Sequence, residues 1–161
     1  MSIMRKIAGV LILLLFSCSG DSDSEQWGAC QNPQYYFRHE IAIQFIDAET
    51  NVDLLHSGEL NFEQLSVTDL SNSQDADIME VTVIDNNGQS IAEYMNINLS
   101  MLESEHEPAT YQIKKDGQNL FNLTFDRVLT QEGCLINEHF SNINIDNFTF
   151  TSDGSLVKVY M

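Results

Sequence analysis

"IMEVTVIDNNGQSIAEYMNINL", residues 78–99, decides the fold class. Ile78-Met79-Glu80-Val81-Thr82-Val83-Ile84 is rich in β-branched residues, whose stiff side chains suit a pleated, half-buried surface. Asp85-Asn86-Asn87-Gly88 follows, and Asn and Gly tolerate the positive φ that tight hairpin turns demand. A second apolar run starts at Ile91. Two periods compete over 91–102: Met95, Ile97, Leu99 and Met101 alternate as in a strand, whereas Ile91, Tyr94, Met95, Leu99 and Leu102 would line one helix face. The intervening asparagines are poor in helix interiors, which selects the strand. The stretch predicts a β-hairpin.

The same grammar continues in both directions. Downstream, Thr110 to Lys115, the turn Asp116-Gly117, and Leu120 to Phe125 predict a second hairpin, with Phe121, Leu123 and Phe125 on one face. Cys134-Leu135-Ile136 is a short strand, 143–150 alternates again, and Asp153-Gly154 turns the chain into a closing strand from Leu156 to Tyr160. Upstream, the aromatic and β-branched stretch 35–45 places Ile41, Ile43 and Phe45 on one side of a period-two pattern. Residues 59–70 are ambiguous: Leu65 and Val67 alternate, while Asn61 with Gln64 three residues on resembles a helix cap; the strand is favoured. Seven or eight short strands separated by turn signals predict an all-β, antiparallel β-sandwich.

The amino terminus has another character. Arg5 and Lys6 precede an apolar run from Ile7 to Phe16, then Ser17 and Cys18, the layout of a secretory signal peptide. The run is about half the twenty residues that a membrane-spanning helix needs. Leu15-Phe16-Ser17-Cys18 resembles the bacterial lipobox. That resemblance implies diacylglycerol on the Cys18 sulfur, cleavage before Cys18 and acylation of the new amine. Two or more acyl chains anchor a protein stably, whereas one holds it only marginally. Ser19-Gly20-Asp21-Ser22-Asp23-Ser24-Glu25 cannot bury apolar area and reads as a flexible tether. It also resembles the acidic stretch behind the cysteine of Bacteroidetes surface lipoproteins, which implies export to the outer leaflet. Alternating acids of this kind are usually solvated rather than calcium-binding. The expected organisation is a signal peptide over 1–17, a lipidated cysteine and tether over 18–29, and one domain over 30–161.

Charge narrows the partners. The chain has a formal net charge of −17, and removing residues 1–17 takes away two basic and no acidic residues, leaving −19. Such a surface repels phosphate backbones, so nucleic acid is excluded as a partner. Cations, basic proteins and neutral glycans stay open. The lipobox takes one of the three cysteines. Cys30 and Cys134 are then a pair in an oxidising compartment, where a disulfide is the default. Closing a loop of roughly 100 residues is worth about 4.7 kcal/mol in the chain-entropy account. No Cys-x-x-Cys spacing supports redox chemistry instead.

Cys30 before an aromatic strand, the turn Asn51-Val52-Asp53-Leu54-Leu55, the central hairpin and the late Cys134 together resemble small surface lipoproteins of flavobacterial type. The resemblance spans most of the mature chain and implies an immunoglobulin-like or transthyretin-like sandwich. It brings no catalytic residues.

Enzyme signatures are absent from the sequence: no Gly-x-Ser-x-Gly elbow, no phosphate-cradling glycine loop and no His-Glu-x-x-His helix. His39, His56, His106 and His139 are scattered, and no catalytic residue is assigned. Glu103-Ser104-Glu105-His106-Glu107-Pro108 concentrates hard oxygens in one loop, so Glu103, Glu105 and Glu107 are the candidate calcium ligands, against the reading of a solvated loop that Pro108 ends. Trp27, Tyr35 and Tyr36 could stack on sugars or cover the end of the core. The sequence therefore points to a non-enzymatic binding or assembly module on the outer membrane. An accessory glycan- or calcium-binding protein of a nutrient-capture system is the alternative.

Overall fold

The computed structural model describes residues 40–99, 107–132 and 134–161 in full, and 34–36 and 106 in their backbone. Pro33–Met161 make one compact unit. The signal peptide, Cys18, the tether and Cys30 lie outside the described residues. No helix among the described residues is long and apolar enough to cross a membrane.

The unit is a two-sheet β-sandwich. In chain order its strands are β1 (Gln34–Tyr36), β2 (Glu40–Ile46), β3 (Leu65–Asp69), β4 (Gln74–Asp75), β5 (Ile78–Ile84), β6 (Ser90–Asn98), β7 (His106–Lys115), β8 (Gln118–Glu132), β9 (Leu135–Ile145), β10 (Thr149–Asp153) and β11 (Leu156–Tyr160). One sheet runs β1-β9-β8-β7-β3-β4 and the other β10-β11-β2-β6-β5. Pairing is mostly antiparallel. Two parallel contacts qualify that expectation: β1 lies along β9, and β2 along β11, so the first strands of the domain join its last ones.

Period-two burial explains why the sheets stack. Ile41, Ile43 and Phe45 of β2 are fully buried, as are Met95 and Ile97 of β6 and Val157 and Val159 of β11. They meet Val67 of β3, Ile113 of β7, and Phe121, Leu123 and Phe125 of β8. Rings bridge the layers, Phe45 on Phe121 at 6.3 Å between centroids and Phe121 edge-on to Phe148 at 5.8 Å. Burying each such side chain is worth about 1.5–3 kcal/mol, so this core carries most of the stability.

The turns are those that the sequence chemistry allows. Asp116 and Gly117 both have positive φ (51° and 75°), the two-residue hairpin geometry that matches strand twist. At the β5–β6 turn the Asp85 carboxylate accepts from the backbone N–H groups of Asn87 and Gln89, both at 2.8 Å, while Gly88 takes φ 80°. Residues 59–70 resolve into both alternatives: Asn61 caps a single 3-10 turn, Phe62–Gln64, and β3 follows directly.

Two expectations are corrected. Eleven strands are present among the described residues rather than seven or eight: the stretch 35–45 holds both β1 and β2, 143–150 divides between β9 and β10, and the two-residue β4 has no apolar signal. Pro108 does not end a loop; it lies inside β7 opposite Asp126. β3 pairs with β7 only from Tyr111 to Lys115, so at Pro108 that flank of β7 has no partner strand among the described residues and a missing N–H costs little.

Candidate functional site

Where the edge of the six-stranded sheet nears β5 and β6, a polar pocket of about 180 Å³ opens. Its walls include Asp69, Gln74, Asp75, Asp77, Asn98 and Tyr111. The fold explains this grouping. Asp69 ends β3 and pairs with Tyr111 on one side and Gln74 on the other. The chain then passes from β4 through Ala76 and Asp77 into the opposite sheet, where the Asn98 N–H donates to the Asp77 carbonyl at 2.9 Å. The crossover from sheet to sheet is the pocket wall.

Two of the three carboxylates are held locally. Asp69 accepts from the Ser71 N–H (2.8 Å) and hydroxyl (2.6 Å), and Asp75 accepts from the Thr68 hydroxyl at 3.1 Å. Lys114 Nζ donates to that Thr68 oxygen at 2.9 Å. Tyr111 is only 2% exposed and stacks on Phe125 at 5.9 Å. Burial pushes its phenol up to about 12; the nearby charge of Asp69 adds to the rise and that of Arg127 opposes it. At neutral pH the tyrosine is therefore uncharged. The lining is rich in acceptors, with three carboxylates and a tyrosine. It favours hydroxyl- or amine-bearing ligands and repels anions.

A second polar cluster sits on the turn after β2. Asp53 makes a single bridge to Ile46 and its carboxylate enters the gap where β2 and β6 part. Oδ2 accepts from Gln44 Nε2 (2.9 Å) and the Glu93 N–H (3.0 Å); Oδ1 accepts from the N–H groups of Leu55 (3.1 Å) and His56 (3.2 Å). Beside it, Ser90 Oγ lies 3.1 Å from His56 Nδ1, and Glu93 Oε1 lies 3.8 Å from the same nitrogen. A serine–histidine–acid relay needs the serine on one ring nitrogen and the acid on the other. Here both approach Nδ1, so the relay is not formed and the carboxylate of Asp53 serves the backbone.

The third cluster is buried. Arg127 of β8 and Glu138 of β9 are 1% and 3% exposed and form an ion pair, Nε to Oε1 at 2.7 Å. Arg127 Nη2 and Glu138 Oε2 have no hydrogen-bond partner.

Of the expected site residues, Glu107 lies in β7 opposite Arg127; Glu103 and Glu105 lie outside the described residues. No three His, Cys, Asp or Glu side chains converge as metal ligands among the described residues. His139 is exposed on β9, His39 and Trp27 lie outside the described residues, and His106, Tyr35 and Tyr36 are described only as backbone. Cys134 lies just before β9, and Cys30 lies outside the described residues. The pocket was not foreseen: Asp69, Asp75 and Asp77 are spaced around Ser71-Asn72-Ser73 with no motif, and only the strand pairing brings Tyr111 and Asn98 to them. No family model, curated protein or solved structure matches this chain.

Proposed function

We propose that the chain is a lipid-anchored lipoprotein of the bacterial outer membrane, facing the cell surface, whose sandwich is a non-enzymatic binding or assembly module. One observation carries the reading: a basic, then apolar, then small N-terminal segment ending at Cys18 within Leu15-Phe16-Ser17-Cys18, followed by the acidic string to Glu25. Acyl chains on Cys18 would hold the domain at the membrane, and the tether would let it stand clear of the headgroups. The acidic surface favours that separation, since anionic headgroups repel it. Radiolabelled palmitate should enter the wild-type chain and be lost in Cys18→Ala, and globomycin should leave an uncleaved precursor. An unlabelled wild-type chain rejects the anchor.

The polar pocket favours a second reading, capture of a neutral glycan by an accessory protein of nutrient uptake. Acceptor-rich walls around an uncharged tyrosine suit sugar hydroxyls. A glycan array, with calorimetry in calcium for the related cation reading, tests it; flat traces with both reject it.

A further inference from the structure

We infer that β5 is a self-pairing edge and that two copies of this chain join through it, antiparallel, around a two-fold axis at Val81. The other three edge strands among the described residues are short or polar, and the unpaired flank of β7 carries Pro108: β1 and β4 have three and two residues, and β10 reads Thr-Phe-Thr-Ser-Asp. β5 has seven residues and one charge, Glu80. Met79 and Ile84 on it are 46% and 60% exposed. Proteins ordinarily blunt such an edge with lysine, proline, a bulge or a cover. Here β5 has neither lysine nor proline, and its ladder with β6 is regular from Ile78 to Val83, with an irregularity only at the Val83/Ile84 end.

The hydrogen-bond parity fits pairing. Asn98 N–H donates to the Asp77 carbonyl, so the backbone groups of Asp77, and by alternation those of Met79, Val81 and Val83, turn toward β6. Those of Ile78, Glu80, Thr82 and Ile84 turn outward. With the axis at Val81, Ile78 meets Ile84 of the second copy and Glu80 meets Thr82, each pair exchanging two hydrogen bonds. Met79 meets Val83, and Val81 meets its own twin, extending the apolar strip on the outer face. The register is specified as well as allowed. A shift of the axis to Glu80 sets two glutamates face to face, and a shift to Thr82 sets Asp85 against Met79. The occupant that satisfies all seven positions is a second β5. Asp77 and Asp85 of opposite copies meet at the two ends, so salt strengthens the contact, the screening length falling from about 10 Å at 0.1 M to about 3 Å at 1 M. An edge of this length suits a weak, reversible dimer.

The full chain in a monodisperse detergent should sediment as a monomer–dimer mixture whose dimer fraction rises with salt. Thr82→Pro removes an outward N–H and leaves the β5–β6 ladder whole, so it should give monomers with unchanged circular dichroism. Met79→Lys, which only alters the outer face, should weaken the dimer in the same direction. Val81→Cys should form a cross-linked dimer under mild oxidation, while wild type and Lys158→Cys, on β11, should not. A monomeric wild type at all salt concentrations, a folded Thr82→Pro that still dimerises, or Val81→Cys that cross-links no better than Lys158→Cys overturns the proposal.

Discussion

Arg127 donates from Nε to Glu138 Oε1 across 2.7 Å, with the two side chains 2% and 0% exposed. They occupy inward positions on neighbouring strands, in slots that the strand alternation would otherwise give to apolar residues. Two unpartnered atoms, Arg127 Nη2 and Glu138 Oε2, show that the pair is not fully satisfied. Breaking a buried pair on one side leaves an uncompensated charge and costs about 3–5 kcal/mol, whereas replacing both members by apolar groups is often neutral or stabilising. Glu138→Gln and Arg127→Met should therefore each lower stability by about that amount. The double variant Arg127→Met/Glu138→Leu should recover most of it. Urea unfolding monitored by tryptophan-independent circular dichroism checks this, and additive losses in the double variant would refute it.

That pair also explains what the sequence hid. Ile41, Ile43 and Phe45, or Phe121, Leu123 and Phe125, betray their strands by plain alternation. Past Phe125 the next inward residue is Arg127, which breaks the apolar alternation although the strand continues to Glu132. On β9, Glu138 interrupts the run after Ile136 in the same way. A buried charge is legible only with its partner, and the partner is eleven residues away across a hairpin. The pocket was hidden for a related reason: Asp69, Asp75 and Asp77 look like any solvated acids until strand pairing brings Tyr111 and Asn98 beside them.

Asp53 offers a sharper test of the second cluster. Its carboxylate receives four donors, and the Glu93 N–H has it as acceptor where the β2–β6 ladder ends. Asp53→Ala should cost about 2–3 kcal/mol, the price of leaving part-buried donors unmet. Asp53→Asn, which keeps an acceptor oxygen, should cost less. His56→Ala should change stability by no more than about 0.5 kcal/mol, the usual range for surface changes. Denaturation midpoints rank the three, and an Asp53→Ala protein as stable as wild type would contradict the bridging role.

Alkaline pH should find Tyr111. Its phenol lies at about 12 in the folded protein against 10 when unperturbed, chiefly through burial. A raised folded value means that the unfolded chain releases its proton first. The contribution to stability is thus complete below pH 10 and is lost as pH rises from 10 through 12. Ultraviolet phenolate titration should show one of the five tyrosines ionising late, together with unfolding. Tyr111→Phe, which keeps the stack on Phe125, should flatten the stability decline over that window.

At acid pH the hairpin turns act with the opposite sign. Hydrogen bonds from Thr50 hold the Asp47 carboxyl below its usual range, and those from the Gln89 and Asn87 N–H groups do the same for Asp85. A lowered folded value gives stability that is present above the unfolded pKa, near 3.8, and is lost as pH falls through the folded one. Asp85→Ala should therefore be less stable than wild type at neutral pH, and the gap should close on acidification below pH 4. Because both groups lie at the surface, the effect should be small and confined to local exchange protection of residues 85–90. Hydrogen exchange of the Asn87 and Gln89 amides measured across that range decides the matter.

Cys30 and Cys134 should form a disulfide in the exported protein. β1 runs parallel to β9 with Gln34 opposite Leu135, the residue that follows Cys134. Only three residues separate Cys30 from Gln34, and Cys134 directly precedes Leu135. β1 has just three residues and lies at a sheet edge, so it has few ladder bonds of its own. A covalent link at this point would fix an edge strand that pairing alone holds weakly, and it would restrict the unfolded chain over nearly the whole domain, which places its worth in the typical range of about 2–4 kcal/mol. Peptide mapping without reductant should recover a fragment joining the two cysteines, and Cys30→Ser should release protection of Tyr35 and Tyr36 amides before any other strand. Two freely alkylated thiols at Cys30 and Cys134 in exported protein would rule the link out.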